Sequence, residues 1–179
     1  MEELGRAIGA RLRAGDLLVL DGPLGAGKTT LTRGIGAGLG VRAPITSPTF
    51  VLARTHPSVT GGPPLVHVDA YRLGSPAELD DLDLDFPGSV VVVEWGTGML
   101  AGVSESLLTI TIERPLGGAA VVSGGGADDD ADMDEDVEVP VEPRLIRLAG
   151  SGPRWADGPW SAEAHSAAGG PDGPPLGGS

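Results

Sequence analysis

The feature that most constrains this chain is the glycine-rich stretch GPLGAGKT at residues 22–29. It matches the pattern G-x-x-x-x-G-K-T and lies between an apolar, β-rich run at residues 17–20 and a helical pattern over residues 28–39. A strand, a glycine-rich turn and a helix in this order place successive backbone N–H groups around a phosphate at the positive end of the helix. The sequence therefore predicts a nucleoside triphosphate site built into an α/β fold.

Each part of this loop has an expected role. Its glycines allow backbone conformations that are closed to other residues, which lets the amide groups turn inward. Lys28 is expected to reach the β- and γ-phosphates, and the hydroxyl of Thr29 is expected to ligate the magnesium ion that bridges them. The residues predicted to bind the nucleotide at the loop are Gly22, Gly25, Ala26, Gly27, Lys28, Thr29 and Thr30.

Composition narrows the choice of nucleotide. Lys28 is the only lysine in the chain, against eleven arginines, and it falls where a planar guanidinium cannot replace a compact ammonium among phosphates. The chain contains no asparagine and no glutamine. It therefore lacks the Asn-Lys-x-Asp signature of guanine-specific GTPases and the glutamine that orients water in Ras-like proteins. ATP is favoured over GTP.

Much of the net charge of −13 is concentrated in one segment. Nine of the 25 acidic residues lie in residues 128–142 with no basic residue among them, so the rest of the chain has 16 acids against 12 bases. A glycine-rich stretch precedes this run, and glycine combined with like-charge repulsion cannot form a packed core. Residues 117–142 are predicted to be a disordered insertion, with a metal-binding or partner-binding acidic patch as the alternative.

The length of 179 residues predicts a single domain, over residues 1–155. Glycine and proline make up 13 of the 30 residues from position 150 onward, so residues 156–179 are predicted to be a disordered tail, with Trp155 and Trp160 as candidate anchors. The chain has no cysteine, and none of its apolar runs approaches the length of roughly 20 residues that is needed to span a bilayer. Its first residues predict an amphipathic helix instead of a signal peptide. A cytoplasmic location without membrane contact is expected.

Strand and helix patterns alternate along the ordered remainder. The predicted strands are residues 17–21, 49–55, 65–70, 90–95, 107–113 and 145–148. The predicted helices are residues 3–14, 28–39 and 76–82, the last with a capping box of Ser75 and Glu78. The second and third strands, joined by HPSVTGGPP, are expected to pair as an antiparallel hairpin at the sheet edge. The predicted class is α/β, a three-layer P-loop NTPase fold with a mixed, mainly parallel sheet.

Two predicted strands carry a candidate catalytic acid near the carboxyl end. Asp69 ends an apolar run in LVHVDAYRL, where a Walker B aspartate holds the magnesium shell opposite Thr29. Glu94 ends the most apolar strand, and two roles stay open for it, magnesium ligand or general base for water. Carboxylates at the carboxyl ends of sheet strands face the ligand crevice in open α/β folds. The predicted catalytic residues are Lys28, Asp69 and Glu94, and the predicted metal ligands are Thr29, Asp69 and Glu94.

Residues 46–52, TSPTFVL, carry hydroxyls and a proline that fit a switch loop sensing the γ-phosphate, with Thr49 as a predicted contact. A plain turn before a strand is the alternative. Three of the six aromatic residues lie beside the candidate site, which favours a shaped pocket or docking face there, with core packing as the alternative: Phe50, Tyr71 and Trp95. The histidines are isolated along the chain, and neither a metal cluster nor a catalytic triad is expected from them: His56, His67 and His165.

Four motifs, in this order and at this spacing, resemble the TsaE family of small bacterial ATPases in tRNA threonylcarbamoyladenosine biosynthesis: GPLGAGKTTLTRG, TSPTFVL, VHVDAYRL and VVVVEWG. The resemblance covers residues 1–114 and resumes at 144–155. It implies a partner-dependent ATPase that binds ATP with Mg²⁺ and works with TsaB and TsaD. The implied substrate of this complex is the adenosine 3′ of the anticodon, in tRNAs that read codons beginning with A.

By motif match, the resemblance implies Lys28 and Thr29 as phosphate and magnesium residues and Asp69 as the Walker B acid. It implies Glu94 and Trp95 as an essential pair near the γ-phosphate. The loop departs from the family pattern at Pro23, where an acidic residue is usual, and a small effect is expected because backbone groups contact the phosphates.

Two other functions fit the loop, a small-molecule kinase and a nucleotide-gated assembly module that does not hydrolyse ATP. A kinase needs an arginine-bearing lid, whereas the long unassigned segment here is acidic and glycine-rich. The chain has no basic stripe with which to neutralise several tRNA phosphates, so tRNA is expected to be engaged only through the complex. No arginine can be assigned to stabilise transition-state charge, so turnover by the protein alone is expected to be slow.

Overall fold

The structure, a computed structural model, describes residues 1–100, 102–114 and 143–158. Its helices are α1 (Glu2–Gly9), α2 (Lys28–Leu39) and α3 (Pro76–Asp80), and 3-10 turns span Ala70–Arg72 and Pro153–Trp155. Its strands are β1 (Leu17–Asp21), β2 (Ala53–His56), β3 (Leu65–Asp69), β4 (Val90–Glu94), β5 (Leu107–Glu113) and β6 (Leu145–Ser151). The predicted insertion at 117–142 lies outside the described residues, and so does the predicted tail at 156–179 from residue 159 onward. No helix in the described ranges is long and apolar enough to cross a membrane.

Within the described residues, six strands form one sheet in the order β2-β3-β4-β1-β5-β6. β1 lies near the centre and runs parallel to β4 and β5, and β3 runs parallel to β4. The outer pairs, β2 with β3 and β5 with β6, are antiparallel. The apolar runs of β1, β3 and β4 are buried almost throughout because both of their faces are covered. The predicted mixed, mainly parallel sheet and its edge hairpin are confirmed.

The two faces of the sheet have different covers. α1 and α2 pack on one face, over a core that includes Leu18 and Ile110. The opposite face is covered by α3 and loop segments, whose Leu79 and Leu100 belong to a second core with Val91. β5 alternates buried and half-exposed residues, because the second cover does not extend fully across that strand. The layer that contains α3 therefore covers less of the sheet than the layer formed by α1 and α2.

The predicted strand at residues 49–55 is wrong in its first half. The amide of Val51 donates to the carbonyl oxygen of Pro48 (2.9 Å), which closes a turn, and Leu52 has a left-handed backbone with φ of +63°. Pairing with β3 starts only at Ala53 because an extended strand requires negative φ. Local turn geometry therefore overrides the β-propensity of this stretch.

Other boundaries differ as well. α1 ends at Gly9 instead of residue 14, because the amide of Arg11 turns back to the carbonyl oxygen of Ile8 and the chain enters β1 through Gly15, with φ of +86°. β3 and β4 end one residue earlier than predicted, α3 ends two residues earlier, and β6 continues three residues further.

The predicted capping box at the start of α3 is wrong, although Ser75 is the N-cap. The Ser75 hydroxyl donates to the Glu78 carboxylate (3.4 Å) and makes no cap bond to the helix backbone. That carboxylate also accepts from the amide of Gly74 (3.3 Å), one residue before the position that a capping box requires.

α1 and α2 contact each other through their backbones, because both helices carry glycines four residues apart. Gly5 and Gly9 of α1 meet the segment of α2 that contains Gly34 and Gly38. A Cβ added at Gly34 would clash with the backbone of Glu2, and one added at Gly9 would clash with the backbone of α2. Since α2 begins at the glycine-rich loop, this close contact fixes the helix that positions the loop.

We expect Gly34→Ala to destabilise the protein by about 1–3 kcal/mol, because the added methyl group overpacks a backbone contact. Helix propensity alone predicts the opposite sign, since alanine is favoured over glycine by about 1 kcal/mol in an exposed helix interior. Urea unfolding measures the difference. Ala37→Leu, at an exposed position of α2, is the control and should change stability little. An increase in stability for Gly34→Ala would contradict the packing.

Arg154 ties the C-terminal end of the described chain to the turn before β1. Its Nε and Nη2 donate to the two carboxylate oxygens of Asp16 (2.8 and 3.1 Å), and Nη2 also donates to the carbonyl oxygen of Arg11 (3.1 Å). Trp155 is buried, and the Arg154 guanidinium lies 4.2 Å from its ring centroid. The predicted anchoring of Trp155 is confirmed, whereas Trp160 lies outside the described residues.

Candidate functional site

The carboxyl ends of β1, β3 and β4 meet at one edge of the sheet, where ligands bind in open α/β folds. They carry Asp21, Asp69 and Glu94, and the last two are direct partners in the register of β3 and β4. The glycine-rich loop follows β1 at this same edge and leads into α2. The predicted acids and the predicted loop are therefore neighbours in space.

The loop takes the backbone conformations that its glycines were expected to allow. Gly22, Gly25 and Gly27 have φ of +144°, +73° and +106°. A Cβ at Gly25 would meet no atom within 4 Å, whereas a Cβ at Gly22 would crowd the backbone of Ile112 on β5. Gly25 is thus open to a ligand, and Gly22 sits at the base of the loop against the sheet.

Lys28 is folded back into the loop and is 5% exposed. Its Nζ donates to the carbonyl oxygens of Gly22 (2.7 Å) and Pro23 (3.1 Å) and lies 3.6 Å from the ring centroid of Trp95. Burial lowers the pKa of Lys28, against the opposing influence first of Glu94 and then of Asp21 and Asp69. The ammonium is held by neutral carbonyls and an aromatic face, contacts that phosphate oxygens can replace with stronger ones.

A chain of hydrogen bonds links the loop to the sheet through Glu94. The hydroxyl of Thr29 donates to Glu94 Oε1 (3.0 Å), and His67 Nε2 lies 2.8 Å from the same oxygen. His67 is fully buried and Glu94 is 4% exposed. His67 is isolated along the chain, but the structure brings it into contact with Glu94. A signal was available, because His67 lies two residues before Asp69 and residues two apart in a strand share a face of the sheet.

Asp69 is buried and its carboxylate is held by the backbone that follows it. Oδ1 accepts from the amide of Tyr71 (3.1 Å), and the Asp69 amide donates to the carbonyl oxygen of Leu52 (2.8 Å). The ring of Tyr71 meets the ring of Trp95 edge to face, with centroids 5.6 Å apart. The acid and the two aromatic rings therefore form one wall beside Lys28.

Trp95 has a left-handed backbone with φ of +64°, which is rare for a bulky residue. Its amide donates to the carbonyl oxygen of Leu20 (3.2 Å), and its ring is held between Lys28 and Tyr71. Conformations of this kind persist where the surroundings determine them, and they concentrate at functional sites. The turn after β4 places the indole over the loop lysine.

These groups surround a cavity of about 690 Å³, within the range of small-molecule sites. Every predicted site residue except Gly22 lines it. The lining residues are Leu24, Gly25, Ala26, Gly27, Lys28, Thr29, Thr30, Ser47, Thr49, Asp69, Tyr71, Glu94 and Trp95. The structure thus brings the predicted residues together, and Gly22 contributes its carbonyl oxygen to Lys28 from behind.

The predicted switch segment, residues 46–52, forms one side of the cavity mouth. The hydroxyls of Ser47 and Thr49 are 2.7 Å apart, and Arg72 donates to the carbonyl oxygen of Thr49. The Arg72 guanidinium also lies 5.3 Å from the ring centroid of Phe50, which is 91% exposed. Arg72, which sequence reasoning did not single out, therefore connects the turn after β3 to this segment.

The oxygen donors at the site suit magnesium better than a softer metal. Thr29, Asp69 and Glu94 supply one hydroxyl and two carboxylates, and Mg²⁺ is bound by one or two carboxylates together with substrate phosphates and water. Among the described residues there is no group of three or more His, Cys, Asp or Glu side chains that could hold a metal by itself. These three side chains therefore suit a metal ion that binds together with a phosphate ligand.

The sheet order, the loop and the helix that follows it define a P-loop NTPase fold. Residues 1–117 match the family described as threonylcarbamoyl adenosine biosynthesis protein TsaE. The chain belongs to the TsaE family and has a role in tRNA threonylcarbamoyladenosine biosynthesis. The resemblance found in its four motifs is confirmed.

Relatives support this assignment over most of the chain. The tRNA threonylcarbamoyladenosine biosynthesis protein TsaE of Streptomyces coelicolor is 52% identical over 159 residues, covering 87% of this chain and 94% of that protein. The protein of the same description from Mycobacterium tuberculosis is 52% identical over 120 residues, covering 62% of this chain and 71% of that protein. The crystal structure of YdiB from Bacillus subtilis is similar with a TM-score of 0.50 and 34% identity, over 63% of this chain and 69% of that chain.

Proposed function

We propose that this protein binds ATP with Mg²⁺ and hydrolyses it in the cytoplasm, as the ATPase of a complex with homologues of TsaB and TsaD. Hydrolysis resets that complex between rounds of modification of the adenosine 3′ of the anticodon, in tRNAs that read codons beginning with A. The observation that carries the proposal is the convergence of Lys28, Thr29, Asp69 and Glu94 on one cavity of about 690 Å³.

The groups at the cavity fit the phosphates of ATP. The first amides of α2 have no intrahelical partner and lie at the positive end of the helix dipole. Lys28 would leave its loop carbonyls for the β- and γ-phosphates, and Thr29 and Asp69 would hold the magnesium ion. When bound, Mg²⁺ neutralises phosphate charge and orients the phosphates. Glu94 acts at the γ-phosphate side as magnesium ligand or general base, with Thr49 and Trp95 beside it.

The proposed dependence on partners follows from the rim of the cavity. No arginine lines it in the described part of the chain, so its walls supply Lys28 but no arginine to stabilise transition-state charge. Leu24, Phe50 and Tyr71 surround the mouth and are 86%, 91% and 71% exposed. Exposed apolar groups clustered beside a site are typical of a docking surface. A partner protein that covers them would order residues 46–52 and complete the site.

Steady-state ATPase activity tests the proposal, measured for the protein alone, with TsaB and TsaD homologues from the same organism, and with tRNA alone. We expect slow turnover in isolation, stimulation by the two proteins and none by tRNA alone. Fast turnover in isolation would contradict the scheme. Turnover that requires only a small acceptor would indicate a kinase. ATP binding without hydrolysis in a single-turnover measurement with both partners would indicate an assembly module.

A surface variant separates docking from chemistry in the same assay. Phe50→Ser removes an exposed ring at the rim and should abolish stimulation by the partners while leaving intrinsic turnover unchanged. Val59→Ser is the matched control, since Val59 is also apolar and 61% exposed but lies in the β2–β3 connection, away from the cavity. Equal stimulation of Phe50→Ser and Val59→Ser would place the docking surface elsewhere.

A further inference from the structure

We propose that His67 is a positioning residue that fixes the orientation of the Glu94 carboxylate for the reaction at the γ-phosphate. The proposal rests on the ATPase function proposed above. Its basis is the 2.8 Å contact between His67 Nε2 and Glu94 Oε1, made entirely inside the protein by a histidine that is 0% exposed.

The surroundings of the His67 ring determine its tautomer. Nδ1 is buried and has no hydrogen-bond partner among the described residues, whereas Nε2 faces a carboxylate oxygen. A hydrogen on Nδ1 would leave a buried donor unpaired and direct a lone pair of Nε2 at Glu94, and both arrangements are unfavourable. The ring therefore carries its hydrogen on Nε2 and donates it to Glu94.

Both donors to Glu94 use the same oxygen. Thr29 and His67 each donate to Oε1, which leaves Oε2 for the cavity that Glu94 lines. The Thr29 hydroxyl would have to serve both Glu94 and a magnesium ion, whereas the Nε2 of His67 contacts Glu94 alone among the described residues. His67 is therefore the donor dedicated to orienting the carboxylate, and it keeps this role whether or not a nucleotide is bound.

The first test is a spectroscopic one that needs no nucleotide. Nitrogen-15 NMR of the histidine rings in the full-length protein should show one ring as the Nε2–H tautomer with a downfield Nε2 proton, and that signal should disappear in His67→Gln. The signal that is lost in His67→Gln belongs to His67. If that signal showed the hydrogen on Nδ1, the proposal would be overturned. This result does not depend on whether the protein hydrolyses ATP.

The second test uses His67→Leu and His67→Gln in the partner-stimulated ATPase assay, with binding of Mg-ATP measured by calorimetry. We expect His67→Leu to lower kcat by about 10- to 100-fold while changing the Kd for Mg-ATP by less than about threefold, as outer hydrogen-bond partners at metal sites do. His67→Gln should recover most of the activity, because the glutamine amide can donate from nearly the same position.

His56→Leu is the matched control, a buried histidine on β2 that is 5% exposed and whose Nε2 has no hydrogen-bond partner in the described residues. It should keep the wild-type kcat. A wild-type kcat in His67→Leu would overturn the positioning role. An equal loss of kcat in His67→Leu and His67→Gln, with the melting temperature of both proteins unchanged, would also overturn it. Failure of the wild-type protein to bind Mg-ATP would instead reject the proposed function.

Discussion

Replacing Lys28 with alanine is expected to weaken Mg-ATP binding by about a hundredfold or more, since removing one partner of a close charge contact costs about 2–5 kcal/mol. The reason is specific to this chain, in which Lys28 is the only lysine and the loop contains no other cation. Calorimetric titration with Mg-ATP measures the loss, and unfolding measures stability in the same samples. If Lys28→Ala bound Mg-ATP as tightly as the wild-type protein, the loop would not be the phosphate site that the proposed function requires.

The fold should survive this change. In the structure, the Lys28 ammonium bonds the carbonyl oxygens of Gly22, which is half-exposed, and Pro23, which is exposed, so water can replace those bonds. Lys28→Arg should also bind weakly, because a planar guanidinium does not fit the space of a compact ammonium beneath Trp95. Arg33→Ala is the control, an exposed cation on the same helix that bonds the carbonyl oxygen of Ile45 instead of the loop.

Glu94→Gln is expected to lower the partner-stimulated kcat by about 10²- to 10⁴-fold with little change in the Kd for Mg-ATP. Glutamine keeps the size of the side chain and still offers an oxygen to the donors Thr29 and His67, so the site should remain assembled. It loses the negative charge and the basicity that either proposed role of Glu94 requires. Single-turnover hydrolysis measures the chemical step separately from release of products.

The magnesium dependence of Glu94→Gln distinguishes its two proposed roles. If Glu94 is a magnesium ligand, raising the Mg²⁺ concentration should restore part of the activity, whereas a lost general base cannot be replaced in this way. Asp21→Asn is the control, because Asp21 ends the neighbouring strand but its carboxylate accepts from the amide of Gly22 and does not line the cavity. Hydrolysis by Glu94→Gln at the wild-type rate would exclude both roles.

The sequence alone was sufficient for the phosphate loop and the two acids, for a physical reason in each case. The loop is one contiguous segment, so the spacing of Gly22, Gly25, Gly27 and Lys28 already determines its local geometry. Asp69 and Glu94 end strands that a P-loop fold makes parallel, and parallel strands bring their carboxyl ends to the same edge. The sheet class and the place of the site at this edge of the sheet followed from these local features, and the family followed from its resemblance in four motifs. Leu24 and Ser47, which also line the cavity, were not predicted.

Other features depend on pairs of residues far apart in the chain. A histidine in an apolar strand looks isolated until the register of β3 and β4 brings His67 to Glu94. Glycine is unfavourable within a helix, and only the contact of α1 with α2 explains why Gly34 is needed there. The left-handed backbones of Leu52 and Trp95 run against local preference. Tertiary structure decided these features because long-range contacts outweigh local propensities of a fraction of a kcal/mol to about 1 kcal/mol per residue.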